Sequence, residues 1–286
     1  MIDRRSVLVG GFALGGCAAI PAQASGLDLV LGVCRGTADA HVSAAAGLSY
    51  LEVNCRSVLK PGHPRPEFEP LIERLAQLPL PARAANSFLP GSFQATGPNA
   101  DPAPILDYAA VAFRRAAEVG IDTIVFGSSG ARSIPDDFPV ERADEQFVEL
   151  LRRMGPLAGE HGVVVALEPL QSSETNYINT VRHGLRLVRA VDHPSIGLAP
   201  DLFHMAREEE DPDAIREAGR FVRHLHIAEK ADRTAPGVRG DPFHAYFRAV
   251  RAAGYQGRLS FECRWSDFER ELPRAVRTTR EQLRFV

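Results

Sequence analysis

The chain has 286 residues, 45% of them hydrophobic and 24% charged, with a formal net charge of −3. That composition supports a buried core in one large α/β domain or two small ones. With that charge no basic surface is evident, so nucleic acid and an anionic membrane surface are poor candidates for the main partner.

The chain opens on a leader. Arg4-Arg5 precede an apolar stretch from Val7 to Ile20, and Pro21 and Ala22-Gln23-Ala24 follow with a small-x-small cleavage pattern. Residues 1–24 read as a twin-arginine signal peptide, so export by the Tat route to the periplasm is expected, with a mature chain spanning 25–286. The apolar stretch is too short for a membrane span, and no transmembrane segment is expected in the mature form. A competing reading takes Leu14-Gly15-Gly16-Cys17 as a lipobox, with Cys17 lipidated as an anchor. The cysteines beyond the leader, Cys34, Cys55 and Cys263, are odd in number and match no zinc spacing, so buried thiols are expected.

Short apolar, β-branched runs then alternate with helical stretches. The runs are Leu29–Cys34, Tyr50–Asn54, Ala82–Ser87, Thr123–Phe126, Val163–Glu168, Ile196–Pro200, His224–Ile227 and Leu259–Glu262. Several are nearly all apolar, as in parallel strands covered on both faces. Between them, Ile105, Tyr108, Ala109, Ala112, Phe113, Ala116 and Val119 fall on one helical face, and so do Phe268, Leu272, Ala275, Val276 and Thr279. Gly47, Gly120, Gly162, Gly219 and Gly254 each close a helical run. The loops after the strands are the long ones, notably 88–102 and 127–139. In the second of these, Gly127 to Arg132 reads as a flexible rim, able at most to bind an anion weakly. Eight βα units with long loops at the carboxyl ends of the strands predict a single (β/α)8 TIM barrel over residues 25–286. An open doubly wound sheet would carry a phosphate loop after the first strand, and Gly32-Val33-Cys34-Arg35-Gly36 is not one.

Catalytic groups of such a barrel sit at the carboxyl ends of its strands. The fifth to eighth strands end in Glu168, Asp201, His226 and Glu262. Three carboxylates and an imidazole brought to one spot repel one another unless a divalent cation joins them. The donor set suits Mn2+ first, with Mg2+, Co2+ or Zn2+ as alternatives. His224 shares a strand face with His226 but sits deeper. His204, three residues after Asp201, lies over the same mouth, with a structural role at a helix start as the equal alternative.

These residues carry a resemblance. Glu168-Pro169-Leu170 with Glu174, Asp201-Leu202-Phe203-His204, His226-Ile227-Ala228-Glu229 with Arg233, and Phe261-Glu262-Cys263-Arg264-Trp265 resemble the xylose-isomerase-like sugar isomerase/epimerase superfamily, nearest to its ketose 3-epimerase and hydroxypyruvate isomerase branch. The resemblance implies one divalent metal held by Glu168, Asp201, His226 and Glu262. It implies Glu168 and Glu262 as the catalytic acid/base pair, and Glu174, His204 and Arg233 as contacts to a small sugar or sugar-like substrate. Arg233 departs from the ketose epimerases by lying one residue further from His226.

The expected chemistry is an isomerase's: proton transfer next to a carbonyl through a metal-stabilised enediolate. Return of the proton to the other face of the same carbon is epimerisation, and return to the adjacent carbon is aldose–ketose isomerisation. Expulsion of a β-substituent would instead make a lyase or dehydratase of a keto-sugar or cyclic polyol. A non-catalytic exported sugar-binding barrel is the third reading. The superfamily's three-zinc DNA-repair endonucleases need further histidines after the second and third strands, and this chain has none there. Homo-oligomerisation stays open.

Overall fold

Parallel strands that follow one another in sequence need a crossover between them, and a helix supplies it. The computed structural model describes residues 26–286, so the leader, its cleavage site and Cys17 lie outside the described residues. The elements run β1 (Val30–Cys34), α1 (Ala40–Ala45), β2 (Tyr50–Asn54), α2 (Cys55–Val58), α3 (Arg65–Ala76), β3 (Ala82–Asn86), α4 (Pro102–Glu118) and β4 (Thr123–Phe126). Then come α5 (Ser129–Arg132), α6 (Val140–Glu160), β5 (Val164–Leu167), α7 (Val181–Val191), β6 (Ile196–Leu198), α8 (Leu202–Arg207), α9 (Asp213–Ala218), β7 (Leu225–Ile227), α10 (His244–Ala252), β8 (Arg258–Phe261) and α11 (Phe268–Arg284).

All eight strands are parallel, in the order β6-β5-β4-β3-β2-β1-β8-β7. β1 pairs with β8 as well as β2, which brings the two ends of the described chain together. The ring closes between β6 and β7 through isolated parallel bridges, Leu198 with Val222 and Asp201 with His226. This is the (β/α)8 TIM barrel that the alternation predicts. β6 and β7 are shorter than their sequence segments because their flanking residues pair across this seam only at those bridges.

Side-chain alternation splits each strand between two environments. On β2, Leu51 and Val53 join the large core between sheet and helices, whereas Tyr50 and Glu52 enter the lumen. Val125, Ala166 and Ala199 form a separate small apolar cluster. Gly32 lacks the Cβ that would collide with the Tyr50 ring. Below that ring, Arg258 lies with its guanidinium carbon 5.6 Å from the ring centre.

Helix starts follow local chemistry. Asp101 accepts the amide of Ala103 ahead of a proline at the start of α4, and Thr180 and Asp267 cap α7 and α11 in the same way. Gly120 (φ +77°) and Gly162 (φ +66°) take the left-handed conformation after α4 and α6. Cys34, Cys55 and Cys263 are all free thiols. No helix among the described residues is long and apolar enough to cross a membrane.

One expectation is corrected. The segment after β4 is not simply a flexible rim: it folds into the helical turn α5, and Arg132 is buried within the protein. The carbonyls of Glu168 and Ile178 draw it inward, accepting its guanidinium at 2.8 and 3.4 Å. Burial lowers its pKa to about 10.

Candidate active site

Glu168, Asp201, His226 and Glu262 meet at the carboxyl ends of β5 to β8, with their ligating atoms all within 4.8 Å of one another. His226 Nδ1 stands 2.8 Å from Glu168 Oε1 and 2.9 Å from Glu262 Oε2. Asp201 is the N-cap of α8: its Oδ1 accepts the amide of Phe203 at 2.8 Å. That cap aims the other oxygen at the cluster, where Arg233 Nη2 reaches it at 3.2 Å. Arg233 also donates to Glu262 Oε2 at 2.6 Å and lies over the Phe203 ring.

The two glutamates differ electrostatically. Burial raises the Glu168 carboxyl above its ordinary value, against the pull of His226. Burial also acts on Glu262, but His226 and Arg233 overcome it and hold that carboxyl down to about 2. His226 is held well above its usual value: burial opposes its charge, but Glu52 and Glu262 outweigh burial. Excess carboxylate thus gathers positive charge from the protein itself, in the Arg233 guanidinium and the His226 ring. The donor set of three carboxylates and one imidazole fits a divalent cation.

A cavity of about 360 Å3 opens above the cluster, lined among others by Arg56, Ser129, Glu174, His204 and Arg233. His204 Nδ1 accepts the amide of Gln171 at 3.2 Å, so its neutral ring carries the proton on Nε2. That nitrogen is buried without a hydrogen-bond partner, 3.5 Å from Asp201 Oδ2. Glu174 accepts from Gln171 Nε2 and lies 3.8 Å from Arg233 Nη1. The structure therefore brings all seven sequence-predicted site residues to one mouth.

Three supports escaped the sequence reading. Glu52, from β2, lies under His226 and accepts its Nε2–H at 2.9 Å. Its signal was a lone charge inside an apolar strand, Leu51-Glu52-Val53. Arg132 pins the backbone of Glu168, as described. Glu229 is fully buried and gathers the loop carrying Arg233: its carboxylate accepts the amides of Gly237, Arg239 and Gly240 and the Thr234 hydroxyl. In that loop Asp232 and Arg233 both take positive φ, +57° and +55°. Such strain persists where surrounding structure imposes it, often at functional sites.

Close packing at Gly127 makes a testable point. A Cβ there would stand 2.6 Å from Glu168 Oε2. Gly127→Ala should push that carboxylate off the cluster and weaken by roughly tenfold the binding of any divalent cation the cluster takes, as loss of ligand orientation does, with a nearly unchanged melting temperature. Calorimetric titration of metal-free protein with Mn2+ measures it; wild-type affinity would show that Glu168 moves freely.

The fold and site have relatives. The family model for the xylose isomerase-like TIM barrel matches residues 41–286. The chain is 36% identical over 119 residues to the D-psicose 3-epimerase of Ruminiclostridium cellulolyticum, covering 41% of this chain and 40% of that one. It is 40% identical over 98 residues to a probable ketose 3-epimerase of Synechocystis sp., covering 34% of each chain. These alignments thus span well under half of the curated relatives. Among solved structures, the 3-keto-D-glucoside 4-epimerase of E. coli superposes with a TM-score of 0.75 at 20% identity, covering 89% of this chain and 100% of that one, a likeness of fold. With eight parallel strands and a family match over nearly all of the described residues, this chain belongs to the xylose isomerase-like TIM-barrel family.

Proposed function

We propose that the protein is a divalent-metal-dependent sugar isomerase or epimerase that moves a proton next to a carbonyl. The observation that carries this reading is the convergence of Glu168, Asp201, His226 and Glu262, within 4.8 Å, at the floor of a cavity of sugar-accommodating size. The 3-epimerase names of the aligned relatives support it.

Those four side chains would hold the ion, which supplies the Lewis acidity that lowers the cost of an enediolate. Glu168 and Glu262, both beside His226, would take the α-proton and return it. Arg233 and the unpartnered Nε2–H of His204 offer donors to substrate oxygens, and Glu174 offers an acceptor. The Arg4-Arg5 leader supports export in the folded state, with the metal already loaded.

The test is deuterium uptake. Chelator-treated protein from residue 25, with and without added Mn2+, is incubated in deuterated buffer with free ketoses, aldoses and keto-glycosides, and proton NMR follows each carbon. Mn2+-dependent exchange at one carbon next to a carbonyl is expected. Mn2+ binding without exchange on any of these substrates would overturn the isomerase reading, and absence of Mn2+ binding would overturn the metal site.

A further inference from the structure

We propose that Glu52 is the positioning residue of this site, fixing from inside the barrel which nitrogen of His226 faces the metal-binding carboxylates; the inference rests on the metal reading above.

Glu52 lines no part of the cavity, and its side chain is fully buried, so it has no route to a substrate. Its Oε1 accepts His226 Nε2–H at 2.9 Å. Its Oε2 accepts His224 Nε2–H at 2.7 Å and the Ser260 hydroxyl at 2.6 Å. Since Ser260 has committed its only proton to Glu52, the Tyr50 hydroxyl, 2.8 Å away, donates to Ser260. The donors come from β7, from His224 just before it and from β8, and the carboxylate from β2, so bonds to three barrel strands fix the orientation of the group.

The consequence falls on His226. With Nε2–H tied to Glu52, Nδ1 is the nitrogen left to face Glu168 and Glu262. A carboxylate behind a ligating histidine fixes its tautomer and ring orientation and raises its basicity. His224 has no comparable task at the mouth: its Nδ1 is buried and unpartnered, so its one hydrogen-bonding role is to secure Glu52 and Ser260. A packing role alone does not call for this arrangement. Burying a carboxylate and two imidazoles costs several kcal/mol before pairing, and apolar Val125, Ala166 and Ala199 pack together in the same barrel without it.

The experiment compares wild type, Glu52→Gln and Ser260→Ala as metal-free proteins, each checked for fold by its melting curve. Mn2+ affinity is titrated. The ligating nitrogen is read from one-bond coupling between 113Cd2+ and 15N-labelled histidine. Wild type should couple at Nδ1. Glutamine turns an NH2 toward His224 and Ser260 or toward His226, and Mn2+ affinity should fall about 10–100-fold, with coupling at Nδ1 weakened or shared with Nε2. Ser260→Ala, which removes one of the two donors to Glu52 Oε2 and leaves His224 in place, should show a smaller loss in the same direction. Should Glu52→Gln fail to fold, Ser260→Ala decides, and unchanged affinity there overturns the inference. Wild type that binds Mn2+, with both variants binding it equally through Nδ1, also overturns the role of Glu52 while leaving the metal site standing. Wild type that binds no Mn2+ removes the metal reading, and the inference with it.

Discussion

On the proposed proton-transfer chemistry, the Glu262→Gln variant should exchange the substrate's α-proton with solvent about 10³-fold more slowly, within the range that a positioned acid or base contributes. The isosteric amide keeps the shape of the site but cannot take a proton. It also removes a full negative charge, because His226 and Arg233 hold the Glu262 carboxyl down to about 2 and so ionised at any working pH. Arg233 loses the negative charge of its 2.6 Å partner and keeps Asp201, at 3.2 Å, as its ionised partner among the cluster's carboxylates. The loss should therefore appear in kcat as well as in metal affinity, and raising the Mn2+ concentration should restore binding without restoring the rate. Single-turnover exchange at saturating Mn2+ separates the two. A variant that recovers more than a tenth of wild-type exchange under those conditions would remove Glu262 from the acid/base pair.

Glu229→Gln should cost about 3 kcal/mol of stability, which lowers the melting temperature by roughly 6–10 °C for a chain of this size. The native carboxylate accepts from Gly237, Gly240 and Asp241 on one oxygen and from Arg239 and Thr234 on the other, at 2.6 to 3.3 Å. An amide presents its NH2 to one of those donor sets, leaving N–H or O–H groups unmatched at about 1–3 kcal/mol each. The damage should be local. Residues 230–241 should become the first site of protease cleavage, and Arg233, no longer held at positive φ, should leave Asp201 and Glu262. Thermal unfolding with limited proteolysis reads both effects. An unchanged melting temperature with an intact loop would show that the backbone holds this shape without the carboxylate.

The barrel was legible because its signals are local and repeated: apolar runs of strand length, helical faces between them and glycines at the helix ends. Glu168, Asp201, His226 and Glu262 were legible for a related reason. A strand tip is a fixed address in this fold, so a polar residue just after an apolar run is a candidate by position alone. Glu52, Arg132 and Glu229 had no such address. Glu52 lies mid-strand, and its partners, His224, His226 and Ser260, are at least 172 residues away in sequence. Arg132 sits among glycines and serines that read as loop, and only the carbonyls of Glu168 and Ile178, brought close by folding, explain its burial. Glu229 was visible as part of a motif, but its work is on backbone amides, which carry no side-chain signature. The apolar strand pattern also hid the lumen, where alternation delivers Tyr50, Glu52, His224, His226 and Ser260 to a polar interior.

The seam between β6 and β7 joins closure of the ring to occupancy of its mouth. Asp201 and His226 face each other across the one junction that is held by isolated bridges rather than by a ladder. A ligand gripping both residues is therefore a clasp on the ring. Its binding energy adds to the stability of the closed barrel by RT ln(1 + [L]/Kd), and local opening of the seam must first release it. Metal availability would then set the lifetime of the folded enzyme as well as its rate, so that in a metal-poor compartment the protein would be both idle and easier to degrade.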